Sequence, residues 1–321
     1  MKVFPGPLFT KYLKVKMNIS ESLEPVLKQA NHVHVDKTTN FAKIFERNKL
    51  NHWLSISPFD INQLDENEKL GYLITLDSIS FSYWGCPKWA VNYQGKEYDG
   101  AQALMACLGR ALGEGFPIFD PKYLAAMKRR DLEQILRGNI EIPLLDERLR
   151  IINEVGNITE EKFRGDFRSI LDEAQNDAIQ LVNVLVNNFP SFEDFSLYRK
   201  KRVCFNKRAQ LLASDLNYFF DLDNVNRLTA CADYKLPQVL RRHGILQYSD
   251  DLLQKIRRGE EIPVGSEQEV EIRAHTIHAV ELIKEQITDV TANQVNDYLW
   301  LEGQVKLKTD EPYHLTRTTA Y

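Results

Sequence analysis

The stretch LPQVLRRHGILQYSDDLLQKIRRG (236–259) decides how the chain is read. Pro237 fits the first turn of a helix running to Arg242, where a missing N–H costs nothing. Gly244 suits the left-handed position that follows such a helix. Beyond the turn His243-Gly244-Ile245-Leu246, Ser249 caps a second helix, Asp250 to Arg258, closed by Gly259. The segment reads as a helix–hairpin–helix unit. Taken alone the pattern is weak, because many αα-hairpins share it.

Outward from this unit the sequence stays helical. From Phe167, apolar residues at Leu171, Ala174, Ala178, Leu181 and Leu185 form one stripe, read as a single helix ended by Asn187-Asn188-Phe189-Pro190. A helix starting near Lys207 buries Leu211, Leu212, Leu216 and Phe219. Ser266 and Glu269 form a capping box for a helix to about Ile287, and another covers Asn293 to Leu301. Strand signal is sparse. The clearest case is a hairpin over Lys88 to Tyr98, turning at Gln94-Gly95. Gly156 to Gly165 is read as a hinge between halves. The fold class is mostly α with a small β-hairpin, and one domain spans 1–321.

The chain has 321 residues, with 43% apolar and 10% aromatic side chains, enough for a sizeable core. A net charge of −4, from 41 basic and 45 acidic side chains, excludes disorder and argues against attachment to nucleic acid or anionic lipid through the overall field. Cys86, Cys107, Cys204 and Cys231 form no C-x-x-C pair, which fits unpaired thiols in a reducing compartment. The N-terminal run is broken by Pro5, Pro7 and Lys11, so no secretory signal is read, and no window is long enough to span a membrane. The expectation is a cytosolic, soluble monomer. P-loop, Rossmann and α/β-hydrolase signatures are absent.

Several residue groups could carry chemistry. Arg199 to Arg202 with Lys207 and Arg208 place six cations in ten residues, suited to a phosphomonoester but equally to a solvated face. Asp233, just before the Pro237 helix, reads as a helix-entry cap or as a buried acid able to stabilise positive charge, the cap being the simpler choice. Glu271, His275 and His278 share a helix face, and His32, His34 and Asp36 would align on a strand. Neither set has a matching partner, so no metal is expected. Aromatics at Phe81-Ser82-Tyr83-Trp84 and Tyr298-Leu299-Trp300 could wall a flat heterocycle or simply fill the core.

Taken together, SISFSYWG (78–85), KRVCFNKRAQLLASD (201–215), ADYKLPQVLRRHGILQYSDDLLQKI (232–256), SEQEVEIRA (266–274) and DYLW (297–300) resemble the queuosine salvage family, the queuosine 5′-phosphate N-glycosylases/hydrolases. The segments follow the family's order and cover most of the chain from about residue 70, while 1–70 matches only loosely. The resemblance implies a mostly helical fold similar to helix–hairpin–helix DNA glycosylases. It implies cleavage of queuosine 5′-monophosphate to queuine and ribose 5-phosphate, which frees the base for tRNA-guanine transglycosylase, with no cofactor.

Queuine is a 7-deazaguanine, so the base cannot be protonated at position 7, and catalysis must lean on stabilising an oxocarbenium-like sugar. With the family in view, Asp233 becomes the choice for that carboxylate, and Asp297 the next candidate. Lys201, Lys207 and Arg208 are assigned to the 5′-phosphate, and His52, Cys231, Tyr234 and Trp300 to the base. Cys231 stands where an aromatic is expected, and Asn206 where a tyrosine is expected. The competing readings are a glycosylase for another modified base or for DNA, and a non-catalytic queuine- or tRNA-associated binding protein.

Overall fold

A computed structural model describes residues 18–39, 45, 49–287 and 289–321. Among these residues the chain forms thirteen α-helices and three two-stranded antiparallel sheets. The first half holds α1 (Ile19–Gln29), α2 (Glu66–Ser78), α3 (Gly100–Gly113), α4 (Pro121–Ala126), α5 (Arg129–Ile135) and α6 (Leu145–Lys162). The second holds α7 (Arg168–Glu173), α8 (Ala178–Asn188), α9 (Lys207–Phe220), α10 (Lys235–Arg242), α11 (Asp250–Arg257), α12 (Glu267–Gln286) and α13 (Ala292–Glu302). No helix among the described residues is long and apolar enough to cross a membrane. The mostly α class is as read from the sequence.

Two apolar clusters carry the packing. One gathers Tyr72, Leu104, Ile151, Leu181 and Leu212 from α2, α3, α6, α8 and α9. The other gathers Val26, Leu240, Val280 and Val295 from α1, α10, α12 and α13. Trp300 packs against both, which places α13 at their seam.

The stripe starting at Phe167 is buried as its period requires, but it is two helices. Gln175 and Asn176 take positive φ values of 54° and 58°, which breaks the α-helical ladder. Asp177 then starts α8 by accepting the Gln180 N–H at 2.8 Å. Both pieces turn the same face inward, so Leu171, Ala174, Ala178, Leu181 and Leu185 all reach the core. The segment read as a hinge lies largely within α6. A Cβ on Gly156 would stand 2.2 Å from the Ala125 nitrogen, so this glycine lets α4 and α6 touch backbone to backbone.

Strand β2 (Ala90–Tyr93) pairs with β3 (Lys96–Asp99) through Gln94 and Gly95, both at positive φ, as a two-residue hairpin requires. A second hairpin escapes the sequence reading. Strand β4 (Phe195–Tyr198) pairs with β5 (Lys201–Cys204), and Arg199 and Lys200 hold the turn at φ 47° and 69° without a glycine or asparagine. The helix–hairpin–helix unit is α10, a strand β6 (Leu246–Tyr248) and α11. Strand β6 pairs antiparallel with β1 (Val33–Val35), Val33 facing Tyr248. Ser249 caps α11 from its Oγ, and Ser266 caps α12 by accepting the Glu269 N–H. The Glu269 side chain reaches back to the Gly265 N–H at 3.1 Å rather than to that of Ser266.

Candidate active site

A cavity of about 830 Å³, including its open mouth, lies where the two clusters meet. Its inner walls are apolar: Trp53, Phe81, Leu211, Cys231 and Trp300, with Trp53 and Trp300 edge to face at 5.3 Å. Asp233, Lys207, Tyr234, Lys88, Asp99, Lys235 and Tyr313 also line it.

Two buried arginines build one wall. Arg148 donates to the carbonyls of Ile79, Phe81 (2.5 Å) and Pro143 (3.1 Å), and its guanidinium stacks on Phe81 at 4.2 Å. Arg208 donates to the carbonyls of Ser78 and Ser191, and lies over Phe81 and Phe192. Together they fix the 78–85 loop, which presents Ser80, Phe81 and Tyr83 to the cavity. A third arginine sets the opposite side. Arg273 makes a bidentate pair with Asp194 at 2.9 and 2.6 Å and contacts the Ala232 carbonyl at 3.4 Å. Asp194 also accepts the Lys207 backbone N–H at 3.1 Å, so one ion pair registers the 230–234 segment against the start of α9.

Asp233 caps a helix with one of its two oxygens. Its Oδ1 accepts the N–H groups of Lys235 (2.7 Å) and Leu236 (3.0 Å), the helix-entry cap foreseen from sequence. Among the described residues Oδ2 takes no such bond, and the side chain lines the cavity. Burial raises the Asp233 pKa, while Lys207 and the two capping N–H groups oppose the rise. The cap and the chemical reading are therefore compatible.

The cation cluster read as a phosphate site is dispersed. Lys207 lines the cavity, but Lys201 is exposed on strand β5 and does not. Arg208 is 2% exposed and spent on two carbonyls, because its helical position turns it into the wall rather than the cavity. Arg199 and Arg202 pair with Glu267 and Glu193. Of the base-site residues, Cys231, Tyr234 and Trp300 line the cavity. Burial holds the Cys231 thiol protonated, and its N–H donates to Asn296 Oδ1 at 2.9 Å. His52 sits behind Trp53 instead. It stacks on Tyr218 at 4.4 Å and accepts the Leu54 N–H through Nδ1, and burial lowers its pKa to about 4.

Behind Trp53 lies a group of buried acids, of which sequence reasoning named Asp297 but not Asp77 or Asp215. Trp53 Nε1 donates to Asp215 Oδ1 at 2.7 Å, and its backbone N–H donates to Asp297 Oδ2 at 3.3 Å. The His52 Nε2 stands 3.5 and 3.7 Å from these same two oxygens. Asp77 adjoins Asp215. Two carboxylates have no hydrogen to share, so their contact is a hydrogen bond only when one proton lies between them. Burial pushes both upward, toward the protonated form. Burial also raises Asp297 to about 7. Asp297 does not line the cavity, so it is poorly placed as the second candidate acid.

His32, Glu267 and Glu271 bring possible metal-ligand atoms within 4.8 Å of one another. Glu271, however, accepts the N–H groups of Asn31, His32 and Val33 and the Tyr198 hydroxyl. His275 uses Nδ1 on the Glu271 carbonyl at 2.8 Å, so the sequence trio of Glu271, His275 and His278 does not converge on a point.

The fold and cavity define a helical protein with an aromatic-walled, small-molecule site carrying one buried carboxylate and one buried ammonium at its centre. The family model for the queuosine salvage protein matches residues 61–321, and the chain belongs to that family. It is 45% identical over 273 residues to a queuosine 5′-phosphate N-glycosylase/hydrolase of Sphaerobacter thermophilus, covering 82% of this chain and 84% of that one. It is 35% identical over 298 residues to the mouse protein of the same name, covering 85% and 88%. A Schizosaccharomyces pombe protein, again of that name, is 30% identical over 273 residues, covering 78% and 77%.

Proposed function

We propose that this protein is a hydrolase that cleaves the N-glycosidic bond of queuosine 5′-monophosphate, releasing queuine and ribose 5-phosphate. The observation that carries the reading is Asp233, anchored by Oδ1 and lining an aromatic cavity, in a chain whose relatives bear that enzyme's name. The base packs among Trp53, Phe81, Cys231 and Trp300. As its bond to the ribose lengthens, positive charge grows on the sugar, and the Asp233 carboxylate stabilises it. Water adds to the sugar carbon, and its proton balance is completed on the departing base nitrogen. Lys207 and the two capping N–H groups oppose the rise that burial causes in the Asp233 pKa, which favours the ionised form.

The same reading has the enzyme acting as a cytosolic monomer on a small molecule, without metal or organic cofactor and without a stable nucleic-acid or membrane partner. The unit formed by α10 and α11 supports a fold of the DNA glycosylase kind. The test is incubation with queuosine, its 5′-monophosphate and its 3′-monophosphate, with queuine release followed by mass spectrometry. Release from the 5′-monophosphate is expected to be fastest, and guanosine 5′-monophosphate is expected to be a poor substrate. Failure to release queuine from any of them overturns the reading.

A further inference from the structure

We infer that the 5′-phosphate of the substrate is held by Lys88 and Lys235 at the mouth of the cavity, and not by the cation run at 199–208. The inference rests on the glycosidase reading above, and it follows from where the charges lie.

Exposure rises along the cavity. Phe81, Cys231 and Trp53 are almost fully buried, whereas the Lys88 and Asp99 side chains are 37% and 44% exposed. A flat base belongs at the dry end and a phosphate at the wet end, because a dianion is costly to desolvate. Asp233, 9% exposed, falls between the two groups, so the order base, ribose, phosphate follows the order of exposure.

The mouth has a local cation excess. Lys88 Nζ lies 3.4 Å from Asp99 Oδ2, and Lys306 Nζ lies 3.9 Å from the same oxygen. Lys235 comes from the first turn of α10, directly after Asp233 and Tyr234. Its Nζ donates to the Gly303 carbonyl at 3.2 Å and stands 5.3 Å from the Tyr313 ring centroid. Two ammonium groups thus share the Asp99 carboxylate, and the Lys235 ammonium, which has no carboxylate within ion-pair distance among the described residues, belongs to the same cavity lining. Lys235 feels the crowding: burial and the Lys88 charge depress its pKa, with Lys306 adding to the effect. A phosphate there would relieve that repulsion, and each ammonium could donate a charge-assisted hydrogen bond to it. The sequence cluster offers no equivalent, since Lys201 is off the cavity and Arg208 is committed to carbonyls.

The experiment compares kcat/KM for queuosine 5′-monophosphate and for queuosine in the wild type, Lys88→Met, Lys235→Met, the double variant and Lys88→Arg. Methionine keeps the apolar stem and removes the charge. The inference expects the nucleotide-to-nucleoside ratio to fall about tenfold to a hundredfold in the double variant, with part of it restored by Lys88→Arg. Lys201→Met should leave the ratio at the wild-type value. Calorimetric binding of ribose 5-phosphate gives a readout independent of turnover and should weaken in step. A ratio that does not move, or equal losses on both substrates with ribose 5-phosphate binding intact, overturns the inference. If the wild type cleaves neither substrate, the glycosidase reading is what fails. Ribose 5-phosphate binding then decides the lysine site alone: its loss in the double variant supports the site and its retention overturns it.

Discussion

The indole N–H of Trp53 is fixed on Asp215 Oδ1 at 2.7 Å, deep behind the wall that the same indole presents to the cavity. The bond lets a buried acid set the tilt of an aromatic surface. Trp53→Phe keeps a ring but leaves that oxygen without its donor. It is expected to lower stability by about 1–3 kcal/mol in urea unfolding and to raise KM for the nucleotide. Adding Asp215→Leu to the same chain should recover part of the stability, since the oxygen stranded by the ring change is then gone.

Asp233→Asn separates the two tasks of that carboxylate. The amide oxygen can still cap α10, so the thermal melt should move by no more than about 1 kcal/mol in stability. The lost charge should reduce turnover roughly 100-fold or more. Turnover within about a tenth of wild type, measured alongside the melt, would take the catalytic role away from Asp233.

Arg208 is expected to behave as a structural clamp. Arg208→Met strands the carbonyls of Ser78 and Ser191, each worth about 1–3 kcal/mol when left unpaired in the interior. Chemical denaturation should register that loss. Cleavage of nucleoside and nucleotide should fall together, in contrast to the lysines at the mouth.

The pH dependence of stability has a defined sign at Asp297. In the unfolded chain this group ionises near its ordinary 3.8, but in the fold it keeps its proton to about 7. Between those values the folded state binds more protons, so stability falls as pH rises through the window. His275 works the other way, because burial lowers it from 6.5 to about 4 and stability is lost as pH falls between them. Asp297→Asn removes only the first effect. Its stability relative to wild type should therefore grow from pH 4 to pH 7, by on the order of 1–4 kcal/mol, read from urea midpoints at several pH values.

What the sequence made legible was local. The start of α10, the Gln94-Gly95 turn and the Ser266 cap announce themselves within four or five residues, and Asp233 was found because it belongs to such a start. Lys88 and Lys235 belong to no run, and only the folded chain brings them to one cavity. Asp77 lies in an ordinary helical stretch, and nothing nearby marks it as the neighbour of Asp215. The 199–208 cations part company for the converse reason. They are close along the chain, but a hairpin turn and a helix start send Lys201 to solvent, Lys207 to the cavity and Arg208 into the wall.

The cavity takes its walls from residues between Trp53 and Tyr321, from segments that have little contact until the rest of the chain is in place. Such a site has no early fragment. It comes into being with the last long-range contacts, and closing loops of that length is what slows a folding chain. The converse holds once it is built: a nucleotide seated there staples together segments from both ends of the sequence. Its occupancy should be felt as resistance of the whole molecule to unfolding and proteolysis, growing with the logarithm of ligand concentration.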